Sequence, residues 1–331
     1  MERFALAAAV VLGFALTAAL CSLFVPLRRV LERREQQQQP VQPKQPRPAP
    51  LRAPLWGGLC AAAGTVTAVG VGWLAACVGQ PELLGSEGRL MTRLLTALAG
   101  SLAFGAVGLA EDLARMRSPA ALGLRRDVRL LLEALAAAFV LLLLRAAGCL
   151  PRGLGVPGAG YVLLGSAVPF LWAVLMVALA ECARIAERDE GTVCGAAFVA
   201  MLALMMAEAG LGVPGLAVLP AALAGALVAL LLWAFPPARL GVGCCGSLLA
   251  AGAIGCIPLS LDMTSLTVPL ALPFWAAGGL LAAQLLGAKH TGKPLRCWVK
   301  KHKMSPETVF LCSFALSAVG YVLALALLRW C

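Results

Sequence analysis

Residues 104–135 have the sequence FGAVGLAEDLARMRSPAALGLRRDVRLLLEAL. This stretch ends one apolar run, crosses a short charged segment and begins a second apolar run. The hydrocarbon core of a bilayer is about 30 Å thick, and a helix needs about 20 apolar residues to cross it. The stretch therefore predicts two membrane-crossing helices that are joined by a charged loop at the membrane surface.

The same alternation extends through all 331 residues, of which 61% are hydrophobic and 13% charged, outside the usual globular range. Ten apolar runs are of about the length of a span: 4–25, 55–78, 91–110, 128–147, 160–180, 192–209, 213–233, 241–260, 266–287 and 308–329. The sequence predicts an all-α polytopic membrane protein with about ten transmembrane helices, folded as a single domain over residues 1–331.

The basic residues are unevenly divided between the two sides. Of 27 Lys and Arg residues, 21 lie in the connectors that follow runs one, three, five, seven and nine, and 6 lie elsewhere. Because excess Lys and Arg marks the cytoplasmic side, we expect five cytoplasmic loops and both termini outside. The net charge of +11 then faces anionic lipid headgroups. No basic stripe lies on a soluble domain, which argues against a nucleic-acid partner.

The first connector, residues 26–54, is of low complexity. It contains Gln36–Gln39, followed by prolines at positions 40, 43, 46, 48, 50 and 54. This composition predicts a flexible Gln/Pro-rich cytoplasmic loop, which is either a solvated spacer or an arm that binds a partner. Gly57 and Gly58 follow it and would let another backbone approach the start of the second helix.

Acidic residues lie in the second and third cytoplasmic connectors. Glu111 and Asp112 are adjacent, and Arg115 lies one helical turn later. Two carboxylates beside arginines can hold a hard cation and a polyanion together, or they can form a mixed-charge anchor at the interface. Glu187 and Glu190 are close together in the third connector. They can be ligands for a metal or a sugar, or they can belong to weak ion pairs at the surface.

The fourth connector restarts a helix through three glycines, in the sequence FPPARLGVGCCGSLL over residues 235–249. Backbone N–H groups at such a start suit a phosphate, but glycines also allow membrane helices to pack closely. The chain has 12 cysteines, mostly inside apolar runs, where cysteine behaves as a small hydrophobic residue. Their spacing supports neither a disulfide framework nor a structural zinc site.

Together these motifs resemble the polyprenyl-phosphate N-acetylhexosamine-1-phosphate transferases, and among them most of all the phospho-N-acetylmuramoyl-pentapeptide transferases. PLWGG (54–58) is similar to the family's PTMGG. FGAVGLAEDLAR (104–115) and GLRRDVR (123–129) are similar to FGxxGFIDDxxK and GLxxxxK. FPPARLGVGCCGSL (235–248) resembles FPPAKxFMGDTGSL almost position for position.

The resemblance implies ten transmembrane helices in a bacterial plasma membrane. It also implies transfer of phospho-N-acetylmuramoyl-pentapeptide, or another phospho-N-acetylhexosamine, from a UDP-sugar to undecaprenyl phosphate. UMP would be released, Mg²⁺ would be the cofactor, and the product would serve peptidoglycan synthesis. By this resemblance Glu111 and Asp112 are catalytic, and Asp112 and Cys244 occupy metal-ligand positions. The implied substrate-binding residues are Arg115, Arg129, Arg184, Glu187, Glu190, Arg239 and His302.

The chain departs from the family pattern where the chemistry would take place. Cys244 replaces the metal-binding aspartate, and Glu111 replaces the first aspartate of the acidic pair. A thiol is a soft ligand and suits Mg²⁺ poorly, and zinc on the adjacent Cys244 and Cys245 would lack further ligands. Two hypotheses remain open. The protein is a divergent transferase, or it is an inactive paralogue that binds polyprenyl phosphate or a partner in envelope synthesis.

Overall fold

The structure is a computed structural model that describes residues 2–38, 56–79, 88–117, 123–151, 153–156, 160–163, 165, 167–187, 191–213, 215–235, 238–287 and 305–330. The chain is an all-α polytopic membrane protein with one small β-hairpin. Its helices in chain order are α1 (Glu2–Gln38), α2 (Gly57–Gly79), α3 (Gly88–Arg117), α4 (Arg126–Ala146), α5 (Ala167–Ala186), α6 (Thr192–Gly210), α7 (Val218–Ala234), α8 (Gly243–Ser260), α9 (Thr267–Leu270), α10 (Leu272–Gly287) and α11 (Pro306–Trp330).

Among the described residues, seven helices are long and apolar enough to cross a membrane: α1, α2, α3, α5, α6, α8 and α11. The helix α7 is apolar but has only 17 residues, and α4 carries five charged residues along its 21. The count of ten spans and the side of each terminus stay predictions.

Two of the predicted apolar runs are interrupted. The run predicted over 160–180 begins as a strand: β1 (Gly153–Val156) pairs antiparallel with β2 (Gly160–Leu163), and α5 starts only at Ala167. The run predicted over 266–287 is divided between α9 and α10 at Ala271. Pro273 has no backbone N–H to bond to the preceding turn, which favours a break at this point.

The predicted loop 26–54 begins later than the sequence suggested. The helix α1 continues to Gln38, so the first 13 residues of this segment are helical and not an extended linker. Leu, Arg, Glu and Gln are good helix formers, and they dominate residues 27–38, between Pro26 and the run of prolines that starts at position 40. Residues 39–55 lie outside the described part of the chain.

The helix α8 is the centre of the bundle. All 18 of its residues are buried, and α2, α3, α5 and α6 pack around it, α3 most extensively. Its sequence GCCGSLLAAGAIGCIPLS is rich in small residues, which allow helix backbones to approach closely in a membrane. The carbonyl of Gly255 accepts a hydrogen bond from the indole N–H of Trp172 on α5, at 3.3 Å.

The start of α2 is joined directly to the start of α8. The backbone N–H groups of Gly57 and Gly58 donate to the carbonyls of Gly241 and Val242 at 3.2 and 2.9 Å. A Cβ atom at Gly58 would collide with the backbone of Gly246. The glycine pair thus provides the close backbone approach that the sequence predicted, and it fixes the N-terminus of α8 beside the candidate site.

Candidate functional site

The Asp112 carboxylate binds the N-terminus of α8. Its Oδ1 accepts a hydrogen bond from the N–H of Cys244 at 3.0 Å, and its Oδ2 accepts one from the N–H of Cys245 at 2.8 Å. The first four N–H groups of a helix have no partner within the helix and carry the positive end of its dipole. Asp112, which is 1% exposed, therefore caps α8 from the neighbouring helix α3.

Glu111 is held by two arginines. Its Oε1 accepts a hydrogen bond from Arg115 at 2.6 Å, and Arg129 on α4 lies 3.7 Å from the same atom. Arg115 also lies 3.9 Å from Asp112 and 3.9 Å from Glu187, which follows α5. Arg115 therefore contacts Glu111 and Asp112, which lie one turn earlier on α3, as the sequence predicted. It also contacts a third acid, Glu187.

Glu181 on α5 binds two arginines, Arg129 and Arg184. Its Oε1 accepts a hydrogen bond from Arg129 Nε at 2.7 Å, and its Oε2 accepts one from Arg184 at 2.6 Å. The side chains of Arg129 and Arg184 are only 8% and 13% exposed. Both arginines, which the resemblance assigned to substrate, thus hold a carboxylate of the protein, and Glu181 ties α4 to α5.

Some buried polar atoms of this cluster have no hydrogen-bond partner. They are Glu111 Oε2, both carboxyl oxygens of Glu133, and Arg184 Nε. Glu133 lies on α4, one turn after Arg129, and is fully buried. Buried polar atoms normally find partners in protein or in ordered water, so the interior between α3, α4 and α5 is a polar environment that suits bound water.

The structure brings together most of the predicted site residues. Glu111, Asp112, Arg115, Arg129, Arg184, Glu187 and Cys244 belong to one connected network. Arg239 is exposed in the loop before α8, where its N–H donates to the Trp233 carbonyl at 2.8 Å. Glu190 and His302 lie outside the described residues.

These residues do not fit a Mg²⁺ ion. Within the described part of the chain, no three His, Cys, Asp or Glu side chains are grouped so that they could hold a metal. Both oxygens of Asp112 already accept backbone hydrogen bonds, and Glu111 is paired with arginines. Cys244 is buried beside them and offers sulfur, whereas Mg²⁺ requires oxygen ligands in near-octahedral geometry.

The network lies inside a region that matches a known family. A model described as glycosyl transferase family 4 matches residues 94–262, about half of the chain. The chain belongs to this family. The matched region begins within α3 and extends just past α8, so it contains Glu111, Asp112, Glu187 and Cys244.

One curated relative is a phospho-N-acetylmuramoyl-pentapeptide-transferase from Synechococcus sp. (strain RCC307). The two sequences are 30% identical over 212 residues, which is 63% of this chain and 55% of the relative. The chain thus matches only about half of the relative's length. The match nonetheless relates this member of glycosyl transferase family 4 to a membrane phospho-sugar transferase.

Sequence reasoning missed two features of this family member's site. Glu181 was not singled out from the sequence, although its position three residues before Arg184 predicts an ion pair. The backbone N–H groups of Cys244 and Cys245 were expected to suit a phosphate, and they bind a carboxylate instead. This contact was predictable in kind, because the N–H groups at a helix N-terminus attract any nearby anion, a carboxylate as well as a phosphate.

Proposed function

We propose that this protein keeps the membrane scaffold and the polyprenyl-phosphate binding of its family but does not catalyse phospho-sugar transfer. The family reaction would move a phospho-N-acetylhexosamine from a UDP-sugar to undecaprenyl phosphate. In the proposed role, the protein binds the lipid phosphate in a bacterial plasma membrane and acts on envelope synthesis without turnover.

The observation that carries the proposal is the position of the Asp112 carboxylate. It accepts two hydrogen bonds from the N-terminus of α8, at the position where the resemblance places a second metal-binding aspartate. Each oxygen of this carboxylate is bonded to a backbone N–H of α8, a contact that stabilises the fold. The neighbouring arginines also bind acids of the protein, so each of them already has a carboxylate partner.

Lipid binding is supported by basic residues at the same membrane surface. Arg117 ends α3 and Arg125 and Arg126 begin α4, and all three are exposed. Basic side chains beside a membrane attract anionic headgroups by about 1 kcal/mol each. They are separate from the buried arginines of the network, so they remain accessible to a lipid phosphate.

The proposal is tested with the purified full-length protein in lipid nanodiscs. UMP release is measured with Mg²⁺, undecaprenyl phosphate and UDP-N-acetylmuramoyl-pentapeptide, and lipid binding is measured by native mass spectrometry. We expect retained undecaprenyl phosphate and no UMP above a protein-free control. Robust Mg²⁺-dependent UMP release that Cys244→Ala leaves unchanged would overturn the proposal.

An active but divergent transferase is the second candidate. It is favoured by the convergence of Glu111, Asp112 and Glu187, because acids from α3 and from the end of α5 meet the start of α8 there. Cys244→Asp combined with Glu111→Asp restores the family's acids. Under our proposal the wild type releases no UMP and the double variant does. If the protein is a divergent transferase, the wild type itself releases UMP. Losing one electrostatic contact of this kind typically costs about 10²–10³ in rate.

A further inference from the structure

The helices α1 and α2 face each other through small residues at every fourth position. On α1 these are Ala9, Gly13, Thr17 and Cys21, and on α2 they are Cys60, Gly64, Ala68 and Gly72. A Cβ atom at Gly64 would collide with Thr17, and one at Gly72 would lie 3.0 Å from the Cβ of Ala9. These contacts fix an antiparallel register in which successive turns of the two helices are paired.

The same register places Cys21 directly opposite Cys60. One turn beyond the Thr17–Gly64 contact, α1 carries Cys21 and α2 carries Cys60, so the two thiols face each other across the helix contact. Cys21 is fully buried and Cys60 is 1% exposed. At the next turn, the rings of Phe24 and Trp56 stack with their centroids 5.7 Å apart. The Cys21–Cys60 pair thus lies between the Thr17–Gly64 contact and the stacked rings of Phe24 and Trp56.

Cys21 and Cys60 lie at matching positions of a close contact between two helices, which is the placement that a disulfide needs. A disulfide needs Cα atoms about 4.4–6.8 Å apart and side chains that point at each other. Small residues along both helices allow backbones to approach that closely. No third metal-ligating side chain completes a metal cluster within the described residues, so the two thiols stand as a pair and not as part of a larger metal site.

We propose that Cys21 and Cys60 form a reversible disulfide that links α1 to α2 within the membrane. The two thiols lose two protons and two electrons as the S–S bond forms. A lipid-soluble quinone takes up both and becomes the quinol, and a dithiol reductant reverses the reaction by thiol–disulfide exchange. The buried position favours an oxidant of this class, because water-soluble oxidants do not enter the helix interface.

The link is positioned to act on the candidate site. Cys60 lies one turn from Gly57 and Gly58, whose N–H groups bond to Gly241 and Val242 just before α8. The disulfide would close the chain from residue 21 to residue 60, which includes the connector between the helices. It would thereby hold α1 against the segment that supports the N-terminus of α8, and it does so whether or not the protein catalyses transfer.

The test uses the full-length protein in nanodiscs, oxidised with a fully substituted ubiquinone analogue that cannot add thiols. Free thiols are then alkylated under denaturing conditions, and the peptides are quantified by mass spectrometry. We expect a Cys21–Cys60 linked peptide, at least a tenfold loss of alkylation at both cysteines, and full recovery after dithiothreitol. Alkylation of Cys77, a buried cysteine on α2, should not change.

Two variants complete the test. Cys21→Ser should leave Cys60 alkylated after oxidation, and the matched control Cys77→Ser should retain the linked peptide. The inference is overturned if both cysteines stay alkylated in the oxidised wild type. It is also overturned if Cys60 links mainly to Cys245, or Cys21 to Cys194, which are other buried cysteines of the chain. The wild-type measurement decides the matter even if a serine variant fails to fold.

Discussion

At the scale of single residues, the role of Asp112 depends on the residue that stands at position 244. With a cysteine there, the Asp112 carboxylate accepts the N–H groups of Cys244 and Cys245. A second aspartate would repel it and would favour a cation between them. Under our proposal, the cysteine at position 244 therefore leaves Asp112 to act as a helix cap.

Replacing Asp112 should destabilise the protein. In Asp112→Ala the N–H groups of Cys244 and Cys245 are left buried without an acceptor, at a cost of about 1–3 kcal/mol. The melting temperature in detergent should fall by several degrees. Asp127→Ala, an exposed acid in the first turn of α4, is the matched control and should leave it nearly unchanged. Equal melting temperatures for the two variants would contradict the capping role.

Glu181 should matter for the stability of the protein, although the sequence analysis did not single it out. Glu181→Ala leaves Arg129 and Arg184 without their shared carboxylate, and hydrogen bonds to charged groups contribute about 1.5–3 kcal/mol. We expect a clear loss of melting temperature, while the exposed Glu307→Ala serves as the control. A neutral Glu181→Ala would show that the two arginines find other partners.

At the scale of elements, the contact between the start of α2 and the start of α8 positions the site. Gly58→Ala should lower the melting temperature, because its Cβ would collide with Gly246 and overpacking costs about 1–3 kcal/mol. Gly70→Ala on the same helix meets no atom within 4 Å and should be neutral or slightly stabilising. The account of α2 fails if Gly58→Ala is as stable as Gly70→Ala.

Helix existence was predictable at this scale, because an apolar run of about 20 residues has one solution in a bilayer. The breaks inside two runs were not predicted. The pair β1–β2 depends on backbone pairing between Gly153–Val156 and Gly160–Leu163, which hydropathy does not detect. The continuation of α1 to Gln38 was missed because the glutamines were grouped with the prolines that follow, although only the prolines oppose a helix.

At the scale of the whole molecule, the clustering of acids followed from the loops that carry them, since connectors on one side of a membrane lie near one another. The actual partners could not be predicted. Whether Arg129 binds a substrate or Glu181 depends on side-chain distances of 2.7 Å across two helices, and a sequence does not give such distances.

The predicted topology also belongs to this scale. The division of basic residues, 21 against 6, predicts five cytoplasmic loops and a C-terminus outside. A reporter that is active only outside the cytoplasm should therefore give a signal when it is fused after Arg329. The same reporter placed within residues 289–303, a strongly basic connector, should give the opposite result. A cytoplasmic signal at the C-terminus would contradict the count of ten spans.

The central claim is that the Asp112 carboxylate caps α8 through two backbone hydrogen bonds and does not hold a metal. Its most direct test is the melting temperature of the wild type with millimolar Mg²⁺, against choline chloride at equal ionic strength, with and without UDP-N-acetylmuramoyl-pentapeptide. Binding at a hundred times the Kd would add about 2.7 kcal/mol of stability. We predict no Mg²⁺-specific shift. A saturable Mg²⁺-specific rise in melting temperature that Asp112→Asn abolishes would contradict the account.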